Sequence, residues 1–273
     1  MENIKYLLLA LLQGVTEFIP VSSSGHLSLL QHIFKFKQPL IVFDVLLHLA
    51  TTFSVIIFLR KELVLIWKGT VKAFGRMLKG VKLSVVWRDS DELRLCGMLF
   101  AGILPAVIVG GLFSGLIEKL FSSLRLVGIS LLCTGVILFF TQRKFQVKEL
   151  KKINFMNAVM IGIAQAAAII PGISRSGATI SMGMFCGLKR DAAFKFSFLL
   201  SVPTILAAAV YKLRVGFADT QISVMCLILS FMVAFISGYF ALSVLSKLVK
   251  QAKLHYFAYY CWILGAAGII LSF

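Results

Sequence analysis

Apolar residues run almost without interruption over about 39–59, 95–117, 221–246 and 255–272, with shorter runs over about 124–140 and 192–210. A helix crosses the hydrocarbon core with about 20 such residues, and shorter runs suffice where the bilayer or the tilt adapts. The pattern therefore predicts six spanning helices. Two further stretches, 4–34 and 154–188, are apolar but broken in the middle by "PVSSSG" (20–25) and "PGISRSG" (171–177). Each reads as two half-helices joined by a turn at membrane depth, a re-entrant hairpin. Irregular backbone is stable there only when it is buried in protein or lines a wet cavity.

The breaks resemble one another. "SSSG" (22–25) matches "SRSG" (174–177), with a proline shortly upstream in both. Downstream, "FDVLLHLATT" (43–52) matches "FSFLLSVPTI" (196–205), and "GGLFSGLIEKL" (110–120) resembles "SGYFALSVLSKL" (237–248). The expected architecture is all-α: a single integral membrane domain over 1–273, built as hairpin plus three spans twice, with repeat 1 at about 1–141 and repeat 2 at about 153–273. An odd number of spans per repeat inverts the second copy in the bilayer. An extra loop near 68–92 lengthens the first half.

Composition agrees. The chain is 59% hydrophobic and 14% charged, where a soluble domain is about a quarter charged, and its mean hydropathy is +0.95. The net charge of +17 does not point to nucleic acid, because the basic residues fall between apolar runs rather than in an aromatic-interleaved patch. Nineteen of the 28 Lys and Arg lie in 60–94, 141–152, 189–191 and 247–254, and seven on the other side. The positive-inside rule makes the first side cytoplasmic and turns both termini outward. Hairpin 4–34 then enters from outside and hairpin 154–188 from the cytoplasm. The five cysteines are scattered singly, with no CxxC pair, so neither a disulfide framework nor a zinc site is expected. The opening "MENIKYLLLALL" is followed at once by Gln13 and Glu17 without a small-residue cleavage site, and is expected to stay in the mature chain.

Ionisable residues at membrane depth are costly and usually functional. Here they are Glu17, His26, Asp44, His48 and Arg175. Inverted repeats bring the two tips together near the midplane, placing Arg175 opposite Glu17 and His26. Gln13 and Glu17 share one face of the first half-helix. Serines before a half-helix cap its N–H groups, and that end favours an anion. A guanidinium binds phosphate bidentately. Two such helix ends, Arg175, the serines and His26 point to a phosphate group, and a carboxylate beside it points to a divalent cation, Mg²⁺ or Ca²⁺. Asp44 and His48, one turn apart, read as a structural pair supporting the tips. The Gly-rich "AGILPAVIVGG" (101–111) reads as close helix packing.

"QGVTEFIPVSSSGH" (13–26) and "PGISRSGATISMGM" (171–184) resemble the two signature motifs of the undecaprenyl-diphosphatase, or bacitracin-resistance, family. The first fits (Glu/Gln)-x-x-x-Glu followed by Pro-x-Ser-Ser-x-Gly-His; the second fits Pro-Gly-x-Ser-Arg-Ser-Gly-x-Thr. Many members carry Glu where this chain has Gln13, so one charge is missing. The resemblance implies a cation-dependent enzyme of the bacterial cytoplasmic membrane. It would hydrolyse undecaprenyl diphosphate to the monophosphate and recycle the lipid carrier for peptidoglycan and other wall polymers. Its site would open to the outer face. On this reading Glu17, Ser23, His26 and Arg175 are catalytic, with Ser23 attacking and His26 as base, or His26 itself attacking. Ser22, Ser24, Ser174, Ser176 and Thr179 bind phosphate, and Glu17 with Gln13 holds the cation. The partners are the prenyl diphosphate and membrane lipids, with no nucleic acid; the oligomeric state is open, a homodimer included. The rival class is a lipid-phosphate flippase, since inverted repeats with a midplane site are usual in transporters. A third class is a lipid-binding resistance protein without catalysis. Release of inorganic phosphate by purified protein separates the first from both others.

Overall fold

The computed structural model describes residues 2–36, 40–113, 115, 120, 123–142, 148–215 and 222–272. Among them the chain is helical, with no sheet beyond an isolated bridge between Lys148 and Leu188. The first broken region forms α1 (Glu2–Phe18) and α2 (Ser23–Ile33), followed by α3 (Ile41–Phe58). Next come α4 (Arg60–Leu78), α5 (Leu83–Asp89), α6 (Asp91–Leu112) and α7 (Leu124–Phe139). The second broken region forms α8 (Phe155–Ala167) and α9 (Arg175–Phe185); α10 (Arg190–Val215), α11 (Val224–Lys250) and α12 (Tyr256–Ile270) complete the described helices.

Five stretches, Ile41–Phe58, Asp91–Leu112, Leu124–Gln142, Arg190–Tyr211 and Val224–Lys250, are long and apolar enough to cross a membrane. The protein is a polytopic membrane protein. The remaining apolar run becomes α12, which at 15 residues is shorter than these five. The interval 60–94, expected as a loop, instead carries two helices of its own, α4 and α5. Six charged residues among the 19 of α4 break the apolar run, yet they leave a good helical sequence.

Packing pairs the two halves of the chain. The half-helix α1 lies on α11, and α8 lies on α6; likewise α3 lies on α11 and α10 on α6, while α3 meets α10 and α7 meets α12. Exchanging the halves turns each of these pairs into another of the set or into itself. The α6–α8 crossing shows how the sequence permits this. A Cβ on Gly162 would stand 2.3 Å from the Gly102 carbonyl oxygen, so the two backbones touch and only glycine fits. The glycine-rich run 101–111 therefore does serve helix packing here. A core of Phe18, Phe194, Phe196, Phe198, Leu199 and Leu200 lies beneath the two tips, with Phe18 edge-on to Phe198 at 5.5 Å. This apolar floor fixes the end of α1, which carries Glu17.

Candidate active site

The two breaks form two tips, and the tips touch. A Cβ on Gly177 of the second would stand 3.2 Å from Pro20 Cβ of the first. The first tip turns through Ser22, which takes a left-handed φ of 68°, unusual for a residue with a side chain. Its carbonyl accepts from the backbone N–H of His26 at 3.3 Å and starts α2. The second tip turns through Gly172 at φ 94°. That residue could not be anything larger, because a Cβ would meet the Val127 carbonyl oxygen at 2.5 Å. Ser174 then caps α9, its Oγ accepting from Gly177 N–H at 3.2 Å.

Glu17 is the hub. It is 5% exposed. Its Oε1 accepts from Nη2 of Arg175 in an ion pair across the two halves. Its Oε2 accepts from Ser23 Oγ at 2.8 Å and from Gln13 Nε2 at 2.8 Å. Ser23 and Arg175 are each the first residue of their half-helices, α2 and α9. They hold the matching second places of "SSSG" and "SRSG". The two repeats thus contact one carboxylate at the same register, from opposite sides.

His48 completes the cluster, its Nδ1 3.0 Å from Gln13 Nε2 and 3.4 Å from Glu17 Oε2. The expected pairing of His48 with Asp44 is not the arrangement observed. Asp44 Oδ1 accepts from Gln31 Nε2 at 2.8 Å, so both residues of α3 reach across to the first hairpin rather than along their own helix. His48 joins the Glu17 cluster, and an ionisable side chain on a largely apolar span is the signal for it.

His26 also departs from expectation. It does not contact Ser23 or Arg175 in the hydrogen bonds observed. Its Nδ1 lies 2.9 Å from the Ser22 carbonyl oxygen. A carbonyl only accepts, so Nδ1 carries the proton. Its Nε2 lies 2.6 Å from the Tyr260 hydroxyl, and the two rings stack at 5.8 Å. Tyr260 comes from α12, over two hundred residues away, and nothing in its local sequence marks it.

The remaining serines divide between the tips. Ser22 Oγ and Ser24 Oγ are 3.4 Å apart, and Ser23, Ser24 and His26 are half-buried. At the second tip Ser174, Ser176 and Thr179 are buried. Ser174 and Ser176 hydroxyls lie 3.2 Å apart. The Thr179 hydroxyl donates to the Arg175 carbonyl at 2.8 Å and lies against Ser197. It sits one turn inside α9. Thr134 of α7 braces the turn by donating to the Gly172 carbonyl at 3.0 Å and accepting from Ser174 N–H at 3.2 Å.

Two buried polar atoms in this cluster make no hydrogen bond among the described residues: Nη1 of Arg175 and Oε1 of Gln13. A buried donor on a guanidinium is costly to leave unfilled. Nη1 of Arg175 has a donor to give to an anion, and Oε1 of Gln13 a lone pair to give to a hard cation or a donor.

A family model described as "Bacitracin resistance protein BacA" matches residues 6–267. The chain belongs to this family. A protein named undecaprenyl-diphosphatase in Desulforapulum autotrophicum is 41% identical, over all of this chain and 99% of its own length. Another of that name in Carboxydothermus hydrogenoformans is 40% identical over all of this chain and 98% of its own. A third, in Halothermothrix orenii, is 38% identical over all of this chain and 99% of its own.

Proposed function

We propose that the chain is an undecaprenyl-diphosphate phosphatase, releasing inorganic phosphate and undecaprenyl phosphate. The observation that carries this reading is the Ser23–Glu17–Arg175 line across the repeat interface, with an unfilled buried guanidinium N–H beside it. The names of the full-length relatives support the same activity. The prenyl tail stays among the helices in lipid while the diphosphate enters between the tips.

Phosphoryl transfer asks mainly for positioning and charge stabilisation. Arg175 offers Nη1 to a phosphate oxygen, and the first N–H groups of α2 and α9 lie beside it. Ser23 Oγ, oriented by Glu17, attacks the terminal phosphorus. The new O–P bond forms as the bond from that phosphorus to the bridging oxygen breaks, and undecaprenyl phosphate leaves with the bridging oxygen. The Ser23 proton passes to Glu17 Oε2, which already accepts it. Water then attacks the phosphoserine phosphorus as the Ser23 Oγ–P bond breaks; Ser23 takes back the proton held on Glu17, the water gives its proton to His26, and inorganic phosphate leaves. His26 is the proton carrier for that second step, because Nδ1 is fixed on the Ser22 carbonyl and only Nε2 can exchange. Tyr260 holds that nitrogen at rest. Ser22, Ser24, Ser174 and Ser176 are the further tip hydroxyls available to bind phosphate oxygens.

The donor set also suits a divalent cation. Glu17 supplies one carboxylate, and Gln13 Oε1 is a buried oxygen without a hydrogen-bond partner. No cluster of three or more His, Cys, Asp or Glu residues fit for a metal occurs among the described residues. A site of one carboxylate completed by substrate phosphates fits Mg²⁺ better than an all-protein cage. Such an ion, held by Glu17 and Gln13, would neutralise charge on the transferred group. In this chain Gln13 gives a weaker hold than a second carboxylate would.

The six-span inverted topology, the cytoplasmic membrane of a bacterium as location, outward termini and a site open to the outer face complete the reading. The exchange of helix pairs between the halves and the basic loops support it. Cysteines at Lys79 and Ser122 (the latter outside the described residues), in a background without native thiols, should label differently on intact cells. An impermeant maleimide should reach position 122 and not 79; equal labelling contradicts the orientation. Recycling of the wall-polymer carrier and bacitracin resistance follow from the activity. The activity is tested by phosphate release from C55 and C15 diphosphates by purified chain in detergent, with and without EDTA. The expected result is cation-dependent release. No release from either substrate contradicts the reading, and a pure flippase would give that outcome.

A further inference from the structure

The helix α4 lies in the interval that hydropathy alone predicts as loop, and the site does not use it. It begins one residue after α3 ends, with only Leu59 between Phe58 and Arg60. At 100° per residue its side chains fall into three sectors. One packs inward: Glu62, Ile66, Gly69 and Ala73 face α6 and the core. Here a Cβ on Gly69 would stand 2.4 Å from Glu92 Cβ, and Ala73 is buried. The second sector is apolar and uncovered. Val64, Trp67, Val71, Phe74 and Leu78 repeat at alternating steps of three and four within an arc of about 80°, and are 49%, 71%, 52%, 58% and 75% exposed. The third lies beside it: Lys61, Lys68, Lys72 and Lys79 form one exposed row.

A helix with six charged residues in 19 does not cross the bilayer. An exposed apolar stripe flanked by lysines is the pattern of a helix lying in the membrane interface. We propose that α4 rests its stripe in the leaflet on the side of the basic loops, and that its lysine row selects anionic phospholipid headgroups there. Charge complementarity singles out this occupant. A lysine near a negative membrane surface gains attraction, whereas a second copy docked stripe to stripe would bring two lysine rows together. The direct junction with α3 sets α4 at the membrane boundary, and Trp67 supplies an interfacial aromatic. The inference does not depend on the reaction at the tips.

The test reconstitutes the full chain in phosphatidylcholine vesicles carrying about 10 mol % of lipid brominated on its acyl chains, either phosphatidylglycerol or phosphatidylcholine. Trp67 reports by fluorescence, with Trp87→Phe and Trp262→Phe removing the other two tryptophans. Both brominated lipids should quench, the anionic one at least about twofold more strongly. Glutamine at the four lysines should bring that ratio to one while leaving quenching by brominated phosphatidylcholine intact. No quenching by either lipid overturns the membrane seat. Equal quenching in the chain with its lysines overturns the selectivity. Disulfide-linked dimers of a Trp67→Cys chain in vesicles would assign the stripe to a second copy and overturn the proposal. Trp87 and Trp262 pack on Gly97 and Gly135, so the single-tryptophan chain could misfold. Native mass spectrometry then counts phosphatidylglycerol retained by the chain with only the four lysines changed. Its loss relative to the unaltered chain is expected, and an unchanged count overturns the proposal.

Discussion

The two tips share a sequence pattern and are built differently. At the first, Ser22 turns the chain at a left-handed φ, and Ser23, Ser24 and His26 stay half-open. At the second, a glycine makes the turn and the hydroxyls of Ser174, Ser176 and Thr179 are buried and engaged with protein partners. Its neighbour α7 braces it through Thr134, while α12 reaches the first tip through Tyr260 on His26 and through Cys261, whose Sγ lies 3.5 Å from the Pro20 carbonyl. The first tip keeps Ser23 and Ser24 half-open, and the second carries a single arginine on a braced turn. On the proposed reading, a repeated motif gives a repeated turn, and the side chain at one matched place, Ser23 or Arg175, sets the task of each tip.

Glu17→Gln should be the most damaging change. It removes the charge both tips contact, and leaves Arg175 without its counter-ion at a site where breaking such a pair costs about 3–5 kcal/mol. Phosphate release should fall on the order of a thousandfold, with lower thermal stability. Near-native turnover in a folded Glu17→Gln chain would separate the carboxylate from the chemistry. Next, the matched places should respond differently. Ser23→Ala should cut kcat on the order of a hundredfold or more with little change in unfolding temperature. Arg175→Lys keeps charge but loses the planar fork; it should raise KM about tenfold and leave more of kcat. If the two variants share one kinetic signature, the division of labour fails. A smaller effect is expected at the cap. Ser174→Ala should cost about 1 kcal/mol of stability and only a few-fold in activity. A Ser174→Ala chain as slow as Ser23→Ala would make the second tip reactive too. Smallest of all, Tyr260→Phe should leave the first transfer nearly intact and slow breakdown of the phosphoserine a few-fold, seen as a larger burst in rapid-quench kinetics. No change in burst amplitude would remove Tyr260 from the account.

Much of this was legible in the residues. The apolar runs fixed most helices within a few positions because lipid imposes one period and one length. Pro20, Pro171 and the serine-glycine groups marked both breaks, and the cost of charge in lipid singled out Glu17 and Arg175. The rest depended on contacts that no local spacing encodes. Asp44 and His48 share a helix face, yet each found a partner on the first hairpin. Tyr260 is one aromatic among many. The serines of "SRSG" read as phosphate ligands, and no spacing foretells that their hydroxyls are buried and lie against one another. For α4, the lysines that hid a helix in a hydropathy reading are the ones that line one of its faces.

The central claim is that residues from both halves act through one carboxylate. A double-mutant cycle of Ser23→Ala and Arg175→Lys, scored on kcat/KM for phosphate release with folding checked for each chain, tests it most directly. Strong non-additivity is predicted, the double variant being little slower than the worse single one. Effects that simply add would mean that the two tips act independently, and would contradict the account.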